Sequence, residues 1–119
     1  MSGKDEVTIY HNPRCSKSRQ TLELLRGRGI EPRIVEYLKT PPDAAELRRL
    51  LGLMGKRPRD ILRRKEAAEA GIDWERLSDD ELIGRMVAAP AAIERPIVVA
   101  AGGEAAALGR PPEAVLSIL

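Results

Sequence analysis

Short β-branched and aromatic runs alternate along this chain with longer stretches in which leucine recurs at helical spacing. Val7-Thr8-Ile9-Tyr10 and Arg33-Ile34-Val35-Glu36-Tyr37-Leu38 read as strands. Between them Leu22, Leu24 and Leu25 share one face, with Arg19, Glu23 and Arg26 elsewhere, and Gly27 and Gly29 end the helix. Strand, helix and strand in that order predict a βαβ unit with parallel strands and a right-handed crossover. Thr40-Pro41-Pro42-Asp43 launches a helix over 44–54, buried through Leu47, Leu50 and Leu51 and closed by Gly55. One or two short helices are predicted over 57–70, with Ile61 and Leu62 inward. Ser78-Asp79-Asp80-Glu81 is a capping box opening a helix through Leu82, Ile83, Met86 and Val87, which Pro90 stops. Arg95-Pro96-Ile97-Val98-Val99-Ala100 reads as a strand with its proline at the start. Gly102-Gly103 turns it into a weak alanine-rich strand over 104–108, and Pro111-Pro112 opens a final helix over 113–119.

The order is therefore β-α-β, a helical insert, then β-β-α. This predicts an α/β fold, a four-stranded mixed sheet with helices on both faces in the thioredoxin-like arrangement. Residues 1–119 read as a single thioredoxin-like domain with a helical insert at about 43–90, and 119 residues suffice for one core. Fold alone does not name a function, which must come from the site.

Composition narrows the chemistry mainly by exclusion. The single cysteine, Cys15, cannot form an internal disulfide or supply a thiolate-rich zinc site, so no metal is expected and any redox partner thiol must come from another molecule. A net charge of +2 and only three aromatic residues (Tyr10, Tyr37, Trp74) argue against a nucleic-acid partner. No apolar run spans a bilayer, and the polar segment 1–6 lacks the apolar core of a signal peptide, so no membrane partner and a cytoplasmic location are expected. Arginine outnumbers lysine 15 to 5. A few of these arginines can act as planar anion forks, a task lysine does not share.

Cys15 falls between the end of the first strand and the start of the first helix, where α/β sheets bind ligands. The unpaired N–H groups of a helical first turn stabilise a thiolate and lower its pKa. His11, Arg14, Lys17 and Arg19 surround it, and Ser18 occupies the second-cysteine position of a C-x-x-C motif, where its hydroxyl could bond the sulfur. Such a thiolate suits either attack on an oxyanion or thiol–disulfide exchange. An oxyanion would need arginines from elsewhere in the chain, and the candidates are Arg95 at the head of a strand, Arg110 at a helix entrance and Arg63 after the apolar pair Ile61-Leu62 in the helical insert. A tyrosine-phosphatase loop would place arginine at position 21, which is Thr21.

The run His11-Asn12-Pro13-Arg14-Cys15-Ser16-Lys17-Ser18-Arg19-Gln20-Thr21-Leu22 resembles the H-N-P-x-C-x-x-S-R-x-T-L signature of the glutaredoxin-coupled arsenate reductases. The likeness continues through Tyr37-Leu38-Lys39-Thr40-Pro41-Pro42, Ile61-Leu62-Arg63-Arg64, Arg95-Pro96-Ile97-Val98-Val99 and Gly109-Arg110-Pro111. It implies that Cys15 attacks arsenate held by Arg63, Arg95 and Arg110, with His11 and Ser18 lowering the thiol pKa. Glutathione then joins the arsenic as co-substrate, glutaredoxin removes the mixed thiol product, and arsenite leaves. No bound cofactor is implied. Thioredoxin-like proteins also carry a cis-proline beside the reactive cysteine, for which Pro96 is the candidate.

Ser16-Lys17 stands where arsenate reducers of this family often have Gly-Thr. A glutathione-dependent thiol reductase of the same fold, without arsenate specificity, is the alternative. A third reading, an Spx-like transcriptional regulator binding RNA polymerase, loses its redox switch because Ser18 replaces the second cysteine.

Overall fold

The computed structural model describes residues 6–119, so residues 1–5 of the polar opening segment lie outside the described residues. The chain groups into two compact units, Met1–Thr40 with Arg95–Leu119, and Pro41–Glu94.

The first unit is built on a four-stranded sheet of β1 (Thr8–His11), β2 (Arg33–Glu36), β3 (Ile97–Val99) and β4 (Ala106–Leu108). The strand order is β2-β1-β3-β4. β1 and β2 run parallel, as a strand–helix–strand order requires, while β1/β3 and β3/β4 are antiparallel. The helix α1 (Ser16–Gly27) joins β1 to β2 and buries Ser18, Thr21, Leu22 and Leu25, an i, i+3, i+4, i+7 stripe. Leu22 and Leu25 complete a core with Ile9, Val98 and Val115. The polar half of the stripe, Ser18 and Thr21, lies toward the Cys15 end of the helix.

The β3–β4 register matters most for the site. Ile97 pairs with Leu108, and the Gly109 N–H donates to the Pro96 carbonyl at 2.9 Å. One residue further, Arg95 and Arg110 therefore stand opposite each other. The Arg95-Pro96 bond is cis, as expected, and so is Arg110-Pro111, which the sequence did not announce.

The second unit is helical. Asp43 caps α2 (Ala44–Met54), accepting from the Glu46 N–H at 2.8 Å. Gly55 closes it at φ 65°, a left-handed position that glycine occupies without a Cβ penalty. A 3₁₀ turn (Pro58–Ile61) leads to α3 (Arg64–Glu69), and the Ser78/Glu81 capping box opens α4 (Asp79–Ala88). Leu47, Leu50, Ile61, Leu82 and Met86 are fully buried here.

Two expectations need correction. The final segment is a 3₁₀ helix over Pro112–Ile118 rather than an α-helix, wound one residue tighter per hydrogen bond and anchored by Val115. The strands are shorter than their apolar patterns: β2 ends at Glu36, and Tyr37 begins a turn in which the Lys39 and Thr40 N–H groups both donate to the Glu36 carbonyl. Among the described residues no helix is long and apolar enough to cross a membrane.

Candidate active site

Cys15 is the N-cap of α1, with extended backbone at φ −94° and ψ 124°. Its own N–H donates to the Asn12 carbonyl at 3.0 Å, which folds the His11–Arg14 loop back under the helix end. Cys15 is only 9% exposed. Burial by itself opposes ionisation, yet the balance goes the other way and the pKa falls below that of an ordinary cysteine. The backbone N–H of Ser18 donates to the sulfur, the Arg95 side chain adds a hydrogen bond and its charge, and the Lys17 N–H contributes further. Arg110 approaches as well, its Nη2 donating to the Cys15 Sγ at 3.7 Å. Helix-turn amides and two guanidiniums thus meet at one sulfur.

Arg95 and Arg110 are held in different ways. Arg110 donates from Nε to the Arg95 carbonyl at 2.9 Å, fixing the plane of its fork. The Nε of Arg95 is buried and has no hydrogen-bond partner, so this arginine retains an unused donor beside the sulfur. A buried donor of this kind costs free energy unless something accepts from it.

Ser18 departs from expectation in how it serves the site. Its hydroxyl is engaged away from the sulfur, sharing a 2.6 Å hydrogen bond with His11 Nδ1 and accepting from the Asn12 N–H at 3.0 Å. The reason is the helical stripe: a fully buried position 18 turns its side chain toward β1, leaving only its N–H for Cys15. His11 is 5% exposed, and burial is the leading cause that lowers its pKa, with Arg26 and Arg19 adding to it against the pull of Glu36. At neutral pH His11 is therefore uncharged and gives the loop a hydrogen bond rather than a positive charge. The Asn12 Oδ1 completes the loop by accepting from the Arg14 N–H at 3.0 Å.

Arg63 belongs to the helical unit, where it is the N-cap of α3. Its Nη1 donates to Glu94 at 2.9 Å and its Nη2 to Glu66 at 3.3 Å, while its buried Nε has no partner. This arginine thus carries two carboxylates of its own. Arg14 and Lys17 are exposed. Sequence reasoning overlooked Asn12, Thr21 and Gly109, whose parts rest on contacts made only in the fold. Among the described residues no group of three or more His, Cys, Asp or Glu side chains gathers as a metal site would.

The lowered thiol pKa gives a direct expectation. Alkylation of Cys15 by iodoacetamide should rise with pH around a midpoint below that of a free cysteine, and arsenate or sulfate should slow it. A midpoint at the ordinary thiol value, with no protection by either anion, would contradict this site.

The model of the ArsC family matches residues 10–118 of the chain. Over 115 residues it is 48% identical to the arsenate reductase of Rhizobium meliloti strain 1021, covering 95% of this chain and 81% of that protein. In Escherichia coli strain K12 two relatives stand out. The uncharacterized protein YfgD is 52% identical over 96% of this chain and 97% of its own length, and the arsenate reductase is 46% identical over 95% and 80%. The solved arsenate reductase of Vibrio cholerae superposes with a TM-score of 0.86 at 49% identity, covering 95% of this chain and 97% of that one.

Proposed function

The chain belongs to the ArsC family, and we propose that it is an arsenate reductase, an oxidoreductase whose nucleophile is Cys15. The observation that carries this reading is the meeting of Arg95, Arg110 and the first-turn N–H groups of α1 at the Cys15 sulfur. Arsenate is a tetrahedral anion, and guanidinium forks and helix-terminal amides are the donors that bind such groups. The unpartnered Nε of Arg95 supplies one donor already desolvated for the purpose.

Docked there, arsenate presents its arsenic to a sulfur whose thiolate form the surrounding donors favour. Attack forms a sulfur–arsenic bond and expels one arsenate oxygen, which takes up protons and leaves as water. Reducing As(V) to As(III) needs two electrons, and the chain has no second cysteine to provide them. Two outside thiols supply the pair and end as a disulfide, and water then cleaves the remaining Cys15–arsenic(III) bond, restoring the thiol and releasing arsenite. Glutathione serves as co-substrate and glutaredoxin as the thiol that resolves the mixed product. His11 and Ser18 act on the thiolate through the loop they pin, with Ser18 adding its N–H. Arg63 enters as a third anion ligand on sequence likeness alone. The reaction calls for no bound metal or cofactor, and a thiol-driven reduction fits the cytoplasm, the reducing compartment.

The test is arsenite production coupled to NADPH oxidation in the presence of glutathione, glutaredoxin and glutathione reductase. Arsenate-dependent oxidation should appear with the wild type and vanish in Cys15→Ser. Turnover no higher than in that variant rejects the proposal.

A second reading keeps the thiol chemistry and changes the substrate, a glutathione-dependent thiol reductase without arsenate specificity. One observation favours it: Ser16-Lys17 replaces the Gly-Thr common among arsenate reducers.

A further inference from the structure

We propose that Gly109 is a positioning residue that sets the distance between Arg110 and the Cys15 sulfur. It is buried at the point where the chain leaving β4 passes between α1 and Pro96. A Cβ placed there would lie 2.7 Å from Thr21 Oγ1, 2.8 Å from Pro96 Cγ and 3.2 Å from Thr21 Cγ2. At Gly27, Gly52 and Gly84 the same atom would meet nothing within 4 Å. Nor does the backbone demand glycine here, because Gly109 is absent from the positive-φ glycines. The requirement is space alone.

None of the neighbours can yield cheaply. Thr21 is fully buried and β-branched, and its Oγ1 donates to the Lys17 carbonyl at 2.8 Å, in the same helical turn that presents amides to Cys15. Turning that hydroxyl away would break the bond and drive a methyl into a packed core. The Pro96 ring is rigid, and its carbonyl already holds the Gly109 N–H. A side chain at 109 must therefore push its own strand end away from α1. The next residue is Arg110, whose Nη2 reaches the sulfur at 3.7 Å, already long, so a small outward shift loosens the contact. Misplacement by 1 Å near a reacting group can cost about 100-fold, and a partial shift of this kind should cost about tenfold.

The inference rests on the reading of Cys15 and Arg110 as the reactive pair, but its test does not need turnover. Iodoacetamide alkylation of Cys15 is followed against pH, with and without arsenate, in wild type, Gly109→Ala, Arg110→Ala and the double variant. Gly109→Ala should move the thiol titration upward, toward an ordinary cysteine, and weaken arsenate protection about tenfold. In the Arg110→Ala background the same substitution should add nothing, since its effect passes through the missing guanidinium. A folded Gly109→Ala with wild-type titration, or effects that simply add in the double variant, overturns the proposal. Should Gly109→Ala alone not fold, the comparison moves to Thr21→Ala with and without Gly109→Ala. There the added methyl still meets the Pro96 ring, a smaller upward move is expected, and an unchanged titration again overturns it.

Discussion

Replacing Arg110 with alanine is expected to lower kcat/KM for arsenate by about 100- to 1000-fold, the loss seen when one preorganised electrostatic donor is removed (~2.7–4 kcal/mol). Arg110 is suited to such a large effect because its fork is fixed before substrate arrives: Nε is spent on the Arg95 carbonyl and Nη2 faces the sulfur. Arg95→Ala should fall in the same range, since it removes both the guanidinium that stabilises the thiolate and an unpartnered buried donor. Steady-state kinetics with arsenate, glutathione and glutaredoxin provide the measurement. Arg48→Ala, which breaks only an exposed ion pair with Asp80, is the control and should stay close to wild type. The same variants separate the two functional readings. If Arg95→Ala and Arg110→Ala leave reduction of a glutathionylated peptide largely intact while arsenate turnover is negligible even in wild type, the thiol-reductase reading replaces the arsenate one.

The features legible in the sequence are those set by near neighbours in the chain. Asp43 and Gly55 bound α2, and Ser78 and Glu81 open α4, because caps act over three or four residues. Cys15 could be placed at a helix entrance for the same reason. The approach of Arg95 and Arg110 was half legible: a Gly-Gly hairpin between two short strands brings its flanks together, but only the observed register puts position 95 opposite 110. The buried bonding of the Ser18 hydroxyl and the place of Thr21 escaped because a buried stripe is sought among apolar residues, whereas here half of it is polar and bonded to the loop and helix backbone. The contact that makes glycine necessary at 109 joins residues 88 positions apart and leaves no local pattern. Arg63 shows the same divide within one side chain. Its Glu66 partner lies three residues on, at helical spacing, whereas Glu94 lies 31 residues away.

Ser18→Ala should be the most destabilising single change in the loop. Its hydroxyl serves two groups that have little alternative, the Asn12 N–H at 3.0 Å and His11 Nδ1 at 2.6 Å, with all three residues buried. Alanine fits the space, so the cost comes from two stranded polar groups rather than from packing. Each unsatisfied buried group costs about 1–3 kcal/mol, giving roughly 2–6 kcal/mol together. For a chain of this length that corresponds to a drop in Tm of roughly 8–24 °C. The thiol should respond far less, because Ser18 reaches the sulfur through its backbone N–H, which alanine retains. Thermal denaturation followed by circular dichroism, paired with the iodoacetamide pH profile, reads both effects in one variant. A large loss of stability with a nearly unchanged thiol titration is expected. Had the hydroxyl bonded the sulfur, the balance would invert, with the titration moving up strongly and the melting temperature changing little.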